Sequence, residues 1–525
     1  MFLDDAEMSQ ILAIPTKNKD KKPKVFNAFY EASRLDQEGK PKEAEKIYLE
    51  LLNSDFDNVV VKAALGMNYA LAGKNGLAAT LLHQALDNLG DILPCFERLG
   101  IKPQNPNDQD AIKNFIDTKE AELMNALGTC YKHENKTQKA MELFHSAQEI
   151  VGTDNADIQN NIGTLYINEG TPTKALEHFN RCLAVDNNHA QGHWNKSLAL
   201  LEMGDYQNGW PEYDYGFQAK VRMDRQFTKD PLPVWQGEKG ARVVVWGEQG
   251  IGDEILFASC LGNLIRDSEF VVFDCHKKLH RLFANSFPGL HIYPTREDEM
   301  ITWPVNGDGS PKYDFTHRIA IGSLPRYYRN SLDDFPGTPF LSPTKKANDR
   351  WRAKLDELPK LPNVGISWMG GHKRTRVEVR SIELERWLPI LTELKDKANI
   401  ISLQYTPCED EIDQFFAKHG IKIHHWPEAC YNEHYDETAG LVANLDLVLT
   451  VCTSLVWLSG GLGVPTWVLT PSRPAWRYRL DLDSVPWFSS ITLFRQNTGS
   501  TDWEPVINEV AKSVADLMGG LHANE

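Results

Sequence analysis

The sequence predicts a helical solenoid over its first 216 residues, followed by two parallel-sheet α/β domains in tandem. Three observations lead there. A set of small and aromatic residues returns every 34 or 35 positions, a Pro- and Gly-bearing break occupies 217–240, and beyond it short apolar runs alternate with helical segments in two series. A fixed period of that length marks stacked helix pairs, and apolar runs separated by helices mark a parallel sheet covered on its faces.

The repeat is read from register. Ala32, Leu35, Gly39, Ala44 and Tyr48 return 34 residues later as Gly66, Tyr69, Gly73, Ala78 and Leu82. Gly128, Tyr131, Ala140 and Phe144 return at an offset of 35 as Gly163, Tyr166, Ala175 and Phe179, with Gly170 at the turn. A fifth copy is Ser197, Leu200, Gly204, Gly209 and Tyr213. Small residues where two helices cross, aromatics between them and Gly at the turn form the tetratricopeptide pattern, which residues 25–216 resemble. The offset from Gly66 to Gly128 is 62, so an insertion lies near 89–116, after an N-terminal extension of 1–24. Stacked repeats of this kind present a concave groove to a peptide or protein partner, although a scaffold that only dimerises would show the same repeats.

The segment 217–240 contains FTKDPLPVWQGEKG and is read as a linker. From 241 to 340 the runs ARVVVWG, EFVVFD, LHIYP and DFTHRIAIG define the first α/β domain, with a helix near Asp253–Arg266. From 341 to 525 a helix at Asp349–Leu358 precedes NVGISW, a helix from Ser381, NIISLQY, IKIHHW, a helix around Thr438, DLVLTVC and TWVLT; a C-terminal helix ends the domain. Two such domains make a cleft into which strand C-termini from each point.

Composition bounds the partners. The chain has 525 residues, 42% hydrophobic and 24% charged, and a formal charge of −16, which repels nucleic acid and anionic lipid. The opening MFLDDAEMSQ carries acid where a signal peptide carries Lys or Arg, and the eight cysteines include no CxxC pair, so a cytoplasmic protein with reduced thiols is expected. Leu447–Ser472 lacks charged side chains, but Gly460, Gly461, Gly463 and Pro465 interrupt it, so it reads as strand, helix and strand, with no membrane span.

Three loops are candidates for chemistry. VVVWGEQGIGDEILF runs from a strand through Glu248, Gln249, Gly250 and Gly252 into a helix, and Asp253 is either that helix's N-cap or a general base facing the cleft. SWMGGHKRTRVEVRS gathers Lys373, Arg374, Arg376 and Arg380, with His372, around Gly370 and Gly371. In an acidic chain such a cluster at a strand end suits a phosphate, with Thr375 and Ser381 beside it. In VCTSLVWLSGGLG, Thr453 and Ser454 cap the next helix or hold a phosphate oxygen. Asp481-Leu482-Asp483 has the spacing of a metal-binding acidic pair but follows PAWRYRL rather than a buried strand, and His424-His425 has no acidic or Cys partner at ligand spacing; no metal is expected.

Together WGEQGIGDEILF, GSLPRYY, VGISWMGG with RSIELERWLPIL, ISLQY, DETAGLVANLDLVLTV, GLGVPTWVLT, WRYRL and VPWFSSITLFRQ resemble bacterial proteins that fuse tetratricopeptide repeats to a glycosyltransferase module of the GT-B type. That module consists of two Rossmann-like domains and is similar to heptosyltransferases and flagellin glycosyltransferases. The resemblance implies inverting, metal-independent transfer from a nucleotide sugar, used as co-substrate with no other cofactor, to an acceptor protein selected by the repeats. It implies Asp253 as base, Arg380 and Ser381 near the donor phosphates, Thr453 and Ser454 as the hydroxyl loop, and Gln404 of ISLQY on the donor side. Two positions depart from the family: the usual Asp-Thr is Cys452-Thr453, and the usual His four residues past that Thr is Trp457. They leave open a second function, an interaction scaffold with a degenerate, non-catalytic module; a nucleotide-sugar epimerase is a third.

Overall fold

The computed structural model describes residues 12–13, 24–103, 108–227, 231–298, 303, 312–371, 377–431 and 433–522. They form two units, Met1–Asn195 and Lys196–Glu525, dividing within a single helix, Ala190–Met203.

Helices α1 (Lys24–Gln37) and α2 (Pro41–Ser54), α3 (Val59–Leu71) and α4 (Asn75–Asp87), α6 (Gln109–His133) and α7 (Thr137–Val151), and α8 (Ala156–Glu169) and α9 (Pro172–Val185) form successive antiparallel pairs. The small residues of the period lie where each pair crosses. A Cβ on Gly66 would stand 2.9 Å from Leu82, and one on Gly128 or Gly163 2.6 Å from Phe144 or Phe179. Each of these partners is sixteen residues further on and fully buried. Gly39, Gly73 and Gly170 turn the chain at positive φ, and in the third pair Asn135 (φ 59°) takes that role, which is why the third copy shows no Gly at the turn. Pro41 and Pro172 open α2 and α9, where a missing N–H costs nothing.

The insertion contains α5 (Ile92–Arg98) and lengthens α6 to 25 residues. Ile92, Cys95, Phe96 and Phe115 are buried in the core that holds α3 and α4. The segment therefore widens that core. Along the first helix of each later pair, amides bridge successive repeats: Asn161 donates to Asn125 Oδ1 (2.9 Å) and Asn195 to Asn160 Oδ1 (2.8 Å).

His178, buried on α9 and hydrogen-bonded to Gln159 (2.9 Å), titrates near 4 because burial, then the nearby Arg181 and His145, oppose its charge. The unfolded chain therefore takes this proton first as pH falls from the ordinary value of 6.5. Its contribution is complete above about pH 6.5 and is lost towards pH 4. His178→Gln is expected to flatten the fall in melting temperature between pH 7 and pH 5, measured by calorimetry on the full chain.

Helix α10 (Ala190–Met203), whose last eight residues belong to the second unit, ends at Gly204 (φ 80°), and α11 (Tyr206–Tyr213) follows, capped by Asp205. Strands β1 (Arg242–Trp246), β2 (Phe270–Asp274), β3 (His291–Tyr293) and β4 (His317–Ala320) form a parallel sheet in the order β3-β2-β1-β4. Strands β5 (Asn363–Ser367), β6 (Asn399–Ser402), β7 (Ile423–His425), β8 (Leu447–Val451), β9 (Thr466–Thr470), β10 (Ser484–Val485) and β11 (Phe488–Arg495) form the second, ordered β10-β11-β9-β8-β5-β6-β7 and parallel except for β10. A tetratricopeptide-like solenoid followed by two Rossmann-like sheets in the GT-B arrangement is the expected fold class. The uncharged run 447–472 is β8, helix α14 (Ser454–Leu462) and β9. Among the described residues no helix is long and apolar enough to cross a membrane.

Three sequence expectations change in detail. The helix near Asp253–Arg266 is two, α12 (Ile251–Ala258) and α13 (Leu261–Asp267). The helix from Ser381 begins later, as a 3-10 turn at Leu384–Trp387 running into Leu388–Leu394, with Pro389 in the first turn of the α-helix. The stretch 217–240, read as a linker, is packed against the first sheet over its described part: Arg222 and Trp235 are buried, and Val234 bridges to Arg318 of β4.

Candidate functional site

A parallel sheet offers a ligand crevice where its strand order reverses, because neighbouring connections there leave to opposite faces. In the second sheet that point lies between β5 and β8. The loops leaving them meet: a Cβ on Gly370 would lie 2.5 Å from Thr453 Cγ2 and 3.1 Å from the Cys452 carbonyl, so the close approach requires glycine. Arg380 donates to that same carbonyl (Nη1, 3.3 Å). Gly371 adopts φ 83°, and its N–H donates to the Tyr405 hydroxyl (2.8 Å). Ser381 Oγ accepts from Gly370 N–H (3.2 Å). His372, Lys373, Arg374, Thr375 and Arg376 lie outside the described residues.

Thr453 is the N-cap of α14, its hydroxyl accepting from Leu455 N–H (3.1 Å), while Ser454 Oγ shares a hydrogen bond with Tyr435 (3.0 Å). Burial pushes the Tyr435 phenol up to about 12, keeping it protonated. Gln404 was expected on the donor side but is fully buried. Its carbonyl accepts from Ser367 Oγ and Met369 N–H (each 3.2 Å), and its amide donates to Thr406 Oγ1 (3.0 Å) and the Met369 carbonyl (3.3 Å). It braces the β5 and β6 loops from beneath.

In the first sheet the reversal lies between β1 and β4, and there the crevice is filled. Glu248, expected on the acceptor side, is fully buried in an ion pair with Arg222 (Nε to both oxygens, 3.0 Å); Arg222 also reaches Asp214 (3.0 Å) and Ser323 (2.9 Å). Nothing in the sequence around Glu248 points to an arginine 26 residues upstream. Gln249 stands at φ 59° and donates to Tyr213 Oη (2.7 Å), while its carbonyl accepts from Arg296 (2.6 Å). Sequence reasoning passed over Glu254, whose carboxylate is buried, paired with Arg296, and accepts from His276 N–H (2.8 Å); burial pushes it up to about 7.

Asp253 is neither an N-cap nor an open carboxylate. Gly250 is the N-cap of α12, and Asp253, three residues on, accepts the Gly250 N–H (3.1 Å), a reach-back that secures a free helix-end donor. Its other oxygen is ion-paired with Arg477, from the loop after β9. The two switch points face each other here. A Cβ on Gly252 would lie 3.0 Å from Trp457 Cδ1 and 3.2 Å from Ser454 Cα, so α12 and α14 touch near their N-termini. Gly252→Ala forces this contact open by a few tenths of an ångström and is expected to cost about 1–2 kcal/mol, seen as a lower denaturation midpoint.

Cys452 and Trp457, the two positions that depart from the resembled pattern, both lie against Tyr478. Cys452 is buried beside Tyr478, and burial pushes its thiol up to about 11. Trp457 packs its ring 5.0 Å from that of Tyr478. Asp481 pairs with Arg479 (2.9 Å). His425 lies near Cys408 Sγ (3.8 Å) and Glu409 (3.8 Å), partners brought by the β6 loop that sequence spacing did not show. Among the described residues no cluster of three or more His, Cys, Asp or Glu side chains suits a metal ion.

Residues 156–189 match the tetratricopeptide repeat family model. Protein FlbA of Caulobacter vibrioides is 27% identical over 337 residues, covering 61% of this chain and 54% of that protein, so the chain spans about half the length of this curated relative. Among solved structures, MamA aligns with 36% of this chain and 94% of its own at 18% identity (TM-score 0.26). A glycosyl transferase family 9 protein from Veillonella parvula aligns with 53% of this chain and 97% of its own at 11% identity (TM-score 0.39).

Proposed function

We propose that the chain is a glycosyltransferase of the GT-B type that moves a sugar from a nucleotide-activated donor to a protein acceptor, with flagellin as one candidate acceptor. The observation that carries this reading is the contact between two switch-point helices near their N-termini, α12 bearing Asp253 and α14 bearing Thr453 and Ser454. In this reading the donor diphosphate lies at the N-terminus of α14, where N–H groups and the helix dipole favour negative charge. Gly370 and Gly371 let it approach the backbone, and Arg380 supplies a cation.

Transfer follows an inverting, metal-independent course. Asp253 takes the proton of an acceptor hydroxyl as its oxygen attacks the anomeric carbon; the bond to the diphosphate breaks on the opposite face, and the helix N-terminus and Arg380 stabilise the departing charge. The repeats supply the acceptor: a tetratricopeptide solenoid is an interaction module, and tethering it to the cleft replaces a dilute encounter by an effective concentration near ~1 mM.

A second reading, a scaffold that has lost transfer, is favoured by Cys452, Trp457 and the Arg477 pairing of Asp253. A thermal-shift screen of nucleotides and nucleotide sugars separates the two, since a ligand specific to the folded form raises its melting temperature. A shift with one nucleotide family, followed by release of that nucleotide on turnover, supports the enzyme; binding without turnover on any acceptor or water supports the scaffold.

A further inference from the structure

Asp253 and Arg477 pose a problem for the proposed chemistry. A general base must turn a lone pair towards the acceptor hydroxyl, but the Asp253 carboxylate is tethered at both oxygens, one ion-paired with Arg477 and the other accepting the Gly250 N–H. The pair is substantially shielded, the side chains being 21% and 14% exposed. Arg477, for its part, is incompletely satisfied. Beyond Asp253 it has a long contact to Gln249 Oε1 (3.4 Å) and lies over the Trp476 ring (4.8 Å), while its Nε is buried with no hydrogen-bond partner. It comes from the donor-side domain, and Tyr478, packed on Trp457 of α14, senses both Arg380 and Arg477.

We propose that Arg477 is a donor-responsive latch: it holds Asp253 in the empty cleft and is drawn off by the donor diphosphate, so that the base is released only once donor is bound. This rests on reading the cleft as a donor site. The physical basis is competition for one guanidinium. A diphosphate offers more charge than one carboxylate and bidentate geometry, and its arrival near Asp253 adds like-charge repulsion that favours the exchange. The consequence is an order of events, donor before acceptor, with Asp253 kept from abstracting protons in the donor-free protein.

The test is calorimetric titration of the full chain with the diphosphates of uridine, guanosine, cytidine and adenosine and with inorganic pyrophosphate. If the latch exists, breaking the pair from the acid side releases Arg477 for the ligand. Asp253→Asn should therefore bind the preferred diphosphate about ten-fold more tightly than wild type, the scale of one charge-assisted contact. Arg477→Gln should bind about ten-fold more weakly, Arg477→Lys should recover part of the loss, and the double variant should match Arg477→Gln alone. Melting curves confirm that each variant is folded; should Arg477→Gln unfold, Asp253→Asn against wild type still decides. Equal or weaker binding by Asp253→Asn, with wild-type binding intact, overturns the latch and leaves the donor site standing. Failure of wild type to bind any of the five ligands overturns the donor site and the latch together.

Discussion

Asp253→Asn is expected to lower sugar transfer by about 10²–10⁴-fold, the usual contribution of a positioned general base. The substitution keeps the size of the side chain and leaves an oxygen to accept the Gly250 N–H, so the start of α12 should persist. The pathway for the acceptor proton is what disappears. The measurement is single-turnover transfer at saturating donor and acceptor, which excludes weakened binding as the cause. Wild-type turnover by the variant would return Asp253 to the role of a helix-end residue.

Trp210→Ala is expected to destabilise the second unit by about 3–5 kcal/mol, the scale of truncating a buried aromatic. Trp210 is 1% exposed and sits at the centre of a ring cluster, with Tyr213 (5.7 Å), Trp476 (5.6 Å) and Phe257 (6.5 Å) meeting it edge to face. Its indole N–H donates to the Arg329 carbonyl (2.7 Å), and that acceptor is stranded when the ring is removed. Phe257 is on α12 and Trp476 is next to Arg477, so loss of the cluster should also loosen the cleft. Chemical denaturation followed by tryptophan fluorescence measures it. Trp210→Phe should recover much of the loss, keeping the ring and giving up the hydrogen bond.

The repeats and the strands were legible because both are periodic. The Gly66, Gly128 and Gly163 contacts follow from the register that revealed them, and the nine parallel strands named from apolar runs all form. Strand β11 was not named, since FSSITLFR, with Ser489-Ser490 and Leu493-Phe494 side by side, shows neither a continuous apolar run nor a clean alternation; it lies next to the edge of the second sheet, with only β10 beyond it. The candidate site was legible as loops. Gly370, Gly371, Arg380, Ser381, Thr453 and Ser454 do converge at one switch point, because glycine at a strand end and a hydroxyl at a helix start are local signals.

What stayed hidden was pairing at long range. Nothing near Glu248 indicates Arg222, nothing near Gln404 indicates Ser367, and nothing near Asp253 indicates Arg477, 224 residues on. Burial and partner choice belong to the tertiary fold, and a single sequence read locally carries neither. The Pro and Gly of 217–240 likewise signalled irregular backbone correctly but could not say that Arg222 and Trp235 would be buried.

For anyone who would exchange the solenoid, the filled crevice between β1 and β4 decides where to splice. A chimera joined at the proline-bearing stretch would discard Trp210, Tyr213 and Arg222, leaving Glu248 as an uncompensated charge in the interior. A graft joined at Asn195/Lys196 keeps all of them, but that seam falls inside α10. The incoming solenoid must therefore end in a helix that continues into Lys196–Met203 without a break, or the i→i−4 hydrogen bonds across the seam are lost.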